Sequence, residues 1–181
     1  MDEILAATTT RQKKQALDRV ANGLGLQDAY NTTLDRIRQQ DRGKSKLGIT
    51  VLMWGSRCER PLNWEELSHA LGVGLVEKEF TIDNVPSVRT VLGCTLGLVV
   101  IDENSSTVRL LHFTLQDYLG ASLTVFETPQ FLMAEICLTY LNSPLVRGSV
   151  LGPYQAQGES PFIEYATCFW GTHAARELTE E

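Results

Sequence analysis

The spacing of apolar residues divides the chain into helices and one region of paired strands. In residues 9–22, Ala16, Leu17 and Val20 form a stripe behind a threonine cap and ahead of Gly23, which predicts a helix. In residues 26–40, Leu26, Tyr30, Leu34 and Ile37 recur at three- and four-residue spacing, with Asp28 near the positive helix end. DRGKS, 41–45, breaks the pattern, and a third helix near 45–57 carries Leu47, Val51, Leu52 and Trp54. Pro61 and Leu62 suit a short extended piece. Asn63 then caps WEELSHALG, with Glu65 and Glu66 in its first turn, Gly72 past its end, and Trp64, Leu67 and Leu71 on its inner face. A loop through EKEFTIDNVPS leads to a short helix at about 87–96.

The period changes there. LVVID and TVRLLHF are rich in β-branched residues, and ENSS between them has turn chemistry, which predicts a hairpin of 98–102 with 107–112. Thr114 is placed to cap a following helix, LQDYLGAS. Helix, short strand, helix, helix and hairpin, in that order, is the winged-helix pattern. Past residue 125 the chain turns helical again. The segment 129–143 carries Phe131, Leu138 and Leu141 on one face and Leu132, Ile136 and Tyr140 on another, so it asks for neighbours on two sides. Residues 144–160, rich in glycine and proline, read as a loop. A last helix begins at Pro161 and puts Phe162, Ala166, Phe169 and His173 on one face, with Trp170 beside it, and the aromatic set Trp54, Trp64, Phe162, Phe169 and Trp170 is expected to be mainly core. The expected fold is mostly α with a small β-hairpin wing, a winged-helix core flanked by N- and C-terminal helices. It divides into a helical segment 1–42, a winged-helix domain 43–125 and a helical segment 126–181.

Composition fits a folded chain: 43% of residues are hydrophobic and 21% charged, which excludes wholesale disorder. No apolar run approaches the ~20 residues of a membrane span, and the opening MDEILAATTTRQKKQAL is not a signal peptide, so a cytoplasmic location without membrane contact is expected. Cys58, Cys94, Cys137 and Cys168 are widely spaced among apolar neighbours and read as reduced core residues. Charge is uneven. Residues 1–60 hold 11 of the 16 bases against 7 acids, whereas the remainder holds 5 against 15, so the two parts can face different partners.

Searching for chemistry turns up little. Gly43-Lys44-Ser45 lacks the earlier glycine of a P-loop, because position 38 is Arg38, and no hydrophobic strand precedes it. Gly120-Ala121-Ser122-Leu123-Thr124 lacks the closing glycine of a nucleophile elbow and continues a helix. His69, His112 and His173 have no metal-ligand spacing. His69 and His173 read as packing residues; His112 stands apart because it lies where the hairpin turns into a helix. A nucleic-acid-binding winged helix is the alternative class. However, segment 85–97 offers one base, Arg89, and the hairpin sets Arg109 against Asp102 and Glu103, too few cations for a phosphate backbone. No catalytic residue, metal site or cofactor is expected.

Several segments together resemble a known family. QALDRVANGLGLQDAYNTTLDRI, ERPLNWEELSHALGV and CTLGLVVIDENSSTVRLLHFTLQDYL resemble, in order, the region that follows the NTPase core in fungal NACHT–ankyrin proteins. AEICLTYL and PFIEYATCFWGTHA resemble the linker helices before the ankyrin repeats. The same winged helix is also labelled by likeness to GPI inositol-deacylase proteins. These are signal-transducing NTPases of the STAND class, akin to NLR receptors. The resemblance implies a non-enzymatic regulatory and protein-interaction module, whose partner is a NACHT ATPase core in cis or trans, or the adjoining repeats. The P-loop core and the repeats are missing from this sequence. The resemblance further implies that His112 is a nucleotide-sensing position, contacting the phosphate of bound ADP when an ATPase core is present. Many relatives have aspartate after that histidine, where this chain has Phe113.

Overall fold

The computed structural model describes residues 24–122, 125–151 and 160–178; the helix expected at 9–22 lies outside them. Helix α1, Leu24–Arg38, presents Leu34 and Ile37 to the core, as its periodicity requires. Helix α2, Arg42–Arg57, begins earlier than expected. The Asp41 carboxylate accepts from the Lys44 N–H at 3.1 Å, so a single residue caps the helix and Gly43-Lys44-Ser45 forms its first turn. That cap, reinforced by the Lys44 ammonium, holds the Asp41 carboxyl below its ordinary range. Helix α3, Trp64–Leu71, opens with a capping box. Asn63 Oδ1 accepts from Glu66 N–H, and the Glu66 carboxylate accepts from Asn63 N–H, both at 2.9 Å.

Between α3 and the next helix, the expected loop contains a two-residue hairpin, β1 Val73–Gly74 with β2 Glu79–Phe80, and a 3-10 turn at Ile82–Asn84. Phe80 is buried and stacks on His69 at 4.9 Å. A Lys78–Glu135 ion pair ties this hairpin to the later helices. Helix α4, Val88–Cys94, is capped by Ser87. Strands β3, Val99–Ile101, and β4, Val108–Leu110, form the wing, with Val100 opposite Arg109. On the far side of β4, Val108 N–H donates to Leu62 C=O at 2.9 Å and Trp64 N–H to Ser106 C=O at 2.8 Å. The extended piece at Pro61-Leu62 thereby becomes a third edge of a small sheet, and β4 lies in its centre. Helix α5, Phe113–Ala121, follows directly.

The C-terminal part is α6 Pro129–Asn142, α7 Pro144–Leu151 and α8 Ile163–Glu177. Helix α7 replaces the first half of the loop expected at 144–160. Helix α6 buries Met133, Ile136, Cys137 and Tyr140, but Phe131 remains 57% exposed and Leu138 is exposed too, so only one of its two apolar faces is covered. Trp170, expected in the core, is 41% exposed; the buried aromatic of α8 is Tyr165, one turn from Phe162 and Phe169. A Trp170→Ala change therefore removes less buried surface than truncation of Tyr165.

What joins the two parts is Trp54. Its ring, fully buried at the end of α2, meets Phe162 and Tyr165 edge-on with centroids at 5.5 and 5.7 Å, and His173 at 6.3 Å. A hydrogen-bonded chain runs behind it. Glu59 N–H donates to Tyr165 Oη at 3.0 Å, and the Tyr165 hydroxyl pairs with His173 Nε2 at 2.9 Å. His173 Nδ1 pairs with Gln130 Oε1 at 2.6 Å. Because Gln130 Oε1 can only accept, the imidazole proton sits on Nδ1, and Nε2 accepts from the Tyr165 O–H. Every ring nitrogen is satisfied with the imidazole neutral. Burial, with the Arg176 charge nearby, pushes the His173 pKa down to about 4. Beside it Arg176 forms an ion pair with Glu59, and Arg60 grips Glu66 bidentately at 2.6 and 2.9 Å while lying over the Tyr165 ring.

Gly48 fixes a second close approach. A Cβ there would stand 2.7 Å from the Cys94 carbonyl oxygen and 3.0 Å from Ile37 Cγ2, so α1, α2 and the end of α4 converge only on a residue without a side chain. Gly48→Ala is expected to lower stability by about 1–3 kcal/mol through overpacking, despite the better helix propensity of alanine, as read by urea unfolding. A stabilised Gly48→Ala protein would refute this convergence.

The His173 environment generates a pH prediction. An unfolded histidine binds its proton near pH 6.5, whereas the folded one resists it until about pH 4. Between these values the unfolded chain holds more protons, so stability is complete above pH 6.5 and falls as the pH drops towards 4. The loss approaches about 3 kcal/mol. Denaturant unfolding at pH 7 and pH 4.5 should show a smaller acid loss in His173→Gln than in the parent; equal losses would mean that other groups carry the effect.

Candidate functional site

The junction between wing and α5 concentrates what the surface has to offer. β4 delivers the chain outward, and Leu111 and Phe113, the residues on either side of His112, are 58% and 69% exposed. Two large apolar residues adjoining at the surface, with no packing role, distinguish this corner from a structural turn. The His112 and Phe113 rings lie 4.4 Å apart, tilted by 34°.

His112, rather than the expected Thr114, is the N-cap of α5. Its φ and ψ are extended, and its Nδ1 accepts from the Thr114 N–H at 3.3 Å. The Thr114 hydroxyl lies 2.8 Å from the same nitrogen and 2.8 Å from the Tyr30 hydroxyl of α1. Since Nδ1 already accepts from a backbone donor, it carries no hydrogen. The hydroxyls then align in one direction: Tyr30 O–H donates to Thr114 Oγ1, and Thr114 O–H donates to His112 Nδ1. This fixes the tautomer that carries its hydrogen on Nε2, which makes no hydrogen bond to the described residues. An oriented donor therefore stands at the exposed corner, set by a relay reaching back into α1. The first-turn amide of α5 that could have met an anion is already used by the histidine itself. Docking of α1 on α5 is supported by Tyr30–Tyr118 ring contact at 5.4 Å and by a Tyr118–Asn31 hydrogen bond. The sequence signal for Tyr30 and Thr114 was weak: a buried-stripe tyrosine and a capping threonine are commonplace, and only their convergence 84 residues apart gives them a role.

Other sequence candidates take structural places. His69 Nδ1 meets the Tyr140 hydroxyl at 3.0 Å, and burial lowers its pKa. Burial pushes the Cys58 thiol up to about 11 and Cys137 to about 12, which disfavours the nucleophilic thiolate. Ser122 ends α5, and Leu123 and Thr124 lie outside the described residues. Gly43-Lys44-Ser45 lies within a capped helix, with no strand before it among the described residues. Among the described residues no His, Cys, Asp and Glu cluster could hold a metal ion, and no helix is long and apolar enough to cross a membrane. Helix α4, in the place of a groove-reading helix, carries Arg89 as its sole base.

A three-helix unit, α2 to α4, closed by a β-hairpin whose centre strand pairs back to the segment after α2, defines a winged-helix domain. Residues 34–125, just over half the chain, match the family described as GPI inositol-deacylase, winged helix domain, and the chain belongs to that family. No curated protein and no solved structure matches it. The match begins inside α1, at Leu34, the residue from which that helix enters the core.

The cap geometry separates stability from any contact at Nε2. His112→Ala should lose about 0.5–1 kcal/mol, and His112→Asn should recover it, because asparagine is a strong cap. Equal melting of wild type, Ala and Asn variants would show that the 3.3 Å cap contributes nothing.

Proposed function

We propose that this chain is a non-enzymatic regulatory and interaction module that works with a NACHT-type ATPase core, in cis or in trans, and reads the nucleotide state of that core through His112. In this reading 1–42 continues the core, 43–125 is the winged helix, and 126–181 leads towards a repeat array. The observation that carries it is the orientation of His112. A relay from Tyr30 through Thr114 presents Nε2–H outward between two exposed apolar residues, an arrangement suited to donating to a phosphate oxygen while Leu111 and Phe113 pack on the surrounding protein. A single donor holds a phosphate weakly, so the ATPase core must supply the remaining contacts. Binding at this corner would then bias the core between a closed and an open arrangement. The alternative, nucleic-acid binding, is disfavoured by a balance of 5 bases against 15 acids beyond residue 60.

The test joins the chain to a NACHT core and compares wild type with His112→Asn, which keeps the helix cap. Faster ADP release from the variant, by about tenfold for one lost charge-assisted hydrogen bond, is expected. Equal ADP retention in the two proteins, with equal melting, would reduce His112 to a cap.

A further inference from the structure

The geometry points to the outer edge of β3 as a docking strand for an extended protein segment, apolar at alternate positions and basic at its N-terminal end. The inference rests on the reading of this chain as an interaction module but not on His112, which lies at the other end of the hairpin. The hydrogen bonds of the wing fix which groups are free. Leu111 N–H donates to Leu98 C=O and Asp102 N–H donates to Thr107 C=O. With Val100 opposite Arg109, residues 98, 100 and 102 therefore point their backbone groups at β4. The N–H and C=O groups of Val99 and Ile101 point the other way. They have no backbone partner among the described residues, whereas the corresponding edge of β4 is already taken by Leu62. An unpaired strand edge of this kind is a template for β-strand addition.

Three further observations specify the occupant. The edge opens into a groove of about 590 Å³, lined by Trp64, Val88, Leu92 and Ile101. Nothing stands within 4 Å of where a Cβ on Gly97 would lie, so the approach at the start of the strand is clear. The charged side chains that line the groove, Asp102 and Glu103, are both acidic and sit at its far end. Asp102 is kept ionised by the turn, whose Asn104 and Ser105 N–H groups and Ser105 hydroxyl all donate to Oδ1. In an antiparallel arrangement, partner residues opposite Ile101 and Val99 share their face and enter the apolar groove. The residue opposite Val100 lies on the outer face beside that half-exposed side chain, and the residue opposite Glu103 comes earlier in the partner's sequence, where a lysine or arginine meets the acids. A second copy of this chain, paired antiparallel through β3, would set its uncharged segment 94–98 opposite the acids, so the charge favours a basic segment from another protein.

The test uses the full chain, ¹⁵N-labelled, with the capped peptide acetyl-Lys-Lys-Thr-Val-Thr-Val-amide and two N-methylated forms, one at the first valine and one at the threonine between the valines. The parent peptide and the threonine-methylated form should bind and slow amide exchange at Val99 and Ile101. Methylation of the valine, which faces Ile101 and removes a ladder hydrogen bond, should weaken binding about tenfold. Glu103→Lys should weaken binding of the parent peptide as well. Equal affinity of all three peptides, or no binding by any at millimolar concentration, overturns the proposal. Protection of Val99 and Ile101 that grows with protein concentration alone also overturns it, by assigning the edge to a second copy. None of these outcomes involves nucleotide, so the role of His112 is judged separately.

Discussion

The burial of Trp54 against Tyr165 and His173 is the constraint from which the rest of the structure follows. A winged helix of this size has a small core, and α2 runs through its middle with apolar residues on more than one side. One side is covered by α1 and α4 around Gly48. The other ends in Trp54, which the C-terminal part meets with Phe162, Tyr165 and a buried imidazole. Dispersion and area burial would accept many aromatic arrangements here; the hydrogen-bonded chain from Glu59 to Gln130 accepts one. Its members come from the segment just after α2, from α6 and from α8, so it specifies how these parts meet more than it adds to stability.

Because the C-terminal helices are used in this way, they cover two sides of the winged helix. Its α3 side is occupied by Tyr140 and Phe80 around His69, and its α2 end by α8. The surfaces left open include the α4–β3 groove and the corner at 111–113. Both are apolar with few charges, and neither has the cation density that a phosphate backbone demands. The surface chemistry therefore agrees with protein contact, and the family assignment places that surface on a fold used for many purposes.

Much of the fold was legible in the sequence, for identifiable reasons. The Asn63–Glu66 capping box, the β-branched hairpin and the stripe of α1 are local signals, and each appears where its chemistry predicts. Boundaries failed at the helix caps. Asp41 caps at once, so DRGKS joins a helix instead of breaking one. A histidine caps α5 although hydroxyl and carboxyl residues usually do, which shifted the expected cap to Thr114. Helix α7 was hidden by its glycine and proline, yet Pro144 occupies a first-turn position where proline is favoured and Val146 gives it a buried anchor. Trp170 and Phe131 were expected inside because periodicity cannot tell which of two apolar faces finds a neighbour; their exposure is a tertiary outcome. Of the candidate site, His112 was visible as a position, but its oriented donor was not, since Tyr30 and Thr114 are distant in sequence.

That distance gives α1 a place in the argument beyond packing. Its Leu34 and Ile37 belong to the winged-helix core, while Tyr30, one turn earlier, sets the direction of the hydroxyl relay that ends on His112. If α1 withdrew from α5, the Tyr30–Tyr118 contact and the Tyr118–Asn31 bond would be lost together, and the Thr114 hydroxyl would lose its donor. The histidine would keep its cap, and with it the hydrogen on Nε2, but the Thr114 hydroxyl would no longer be held against its ring by Tyr30. The exposed corner is thus coupled to the helix that enters the fold first in the described chain. A displacement of α1 reaches His112 through two hydroxyl groups, without any rearrangement of the Trp54 core.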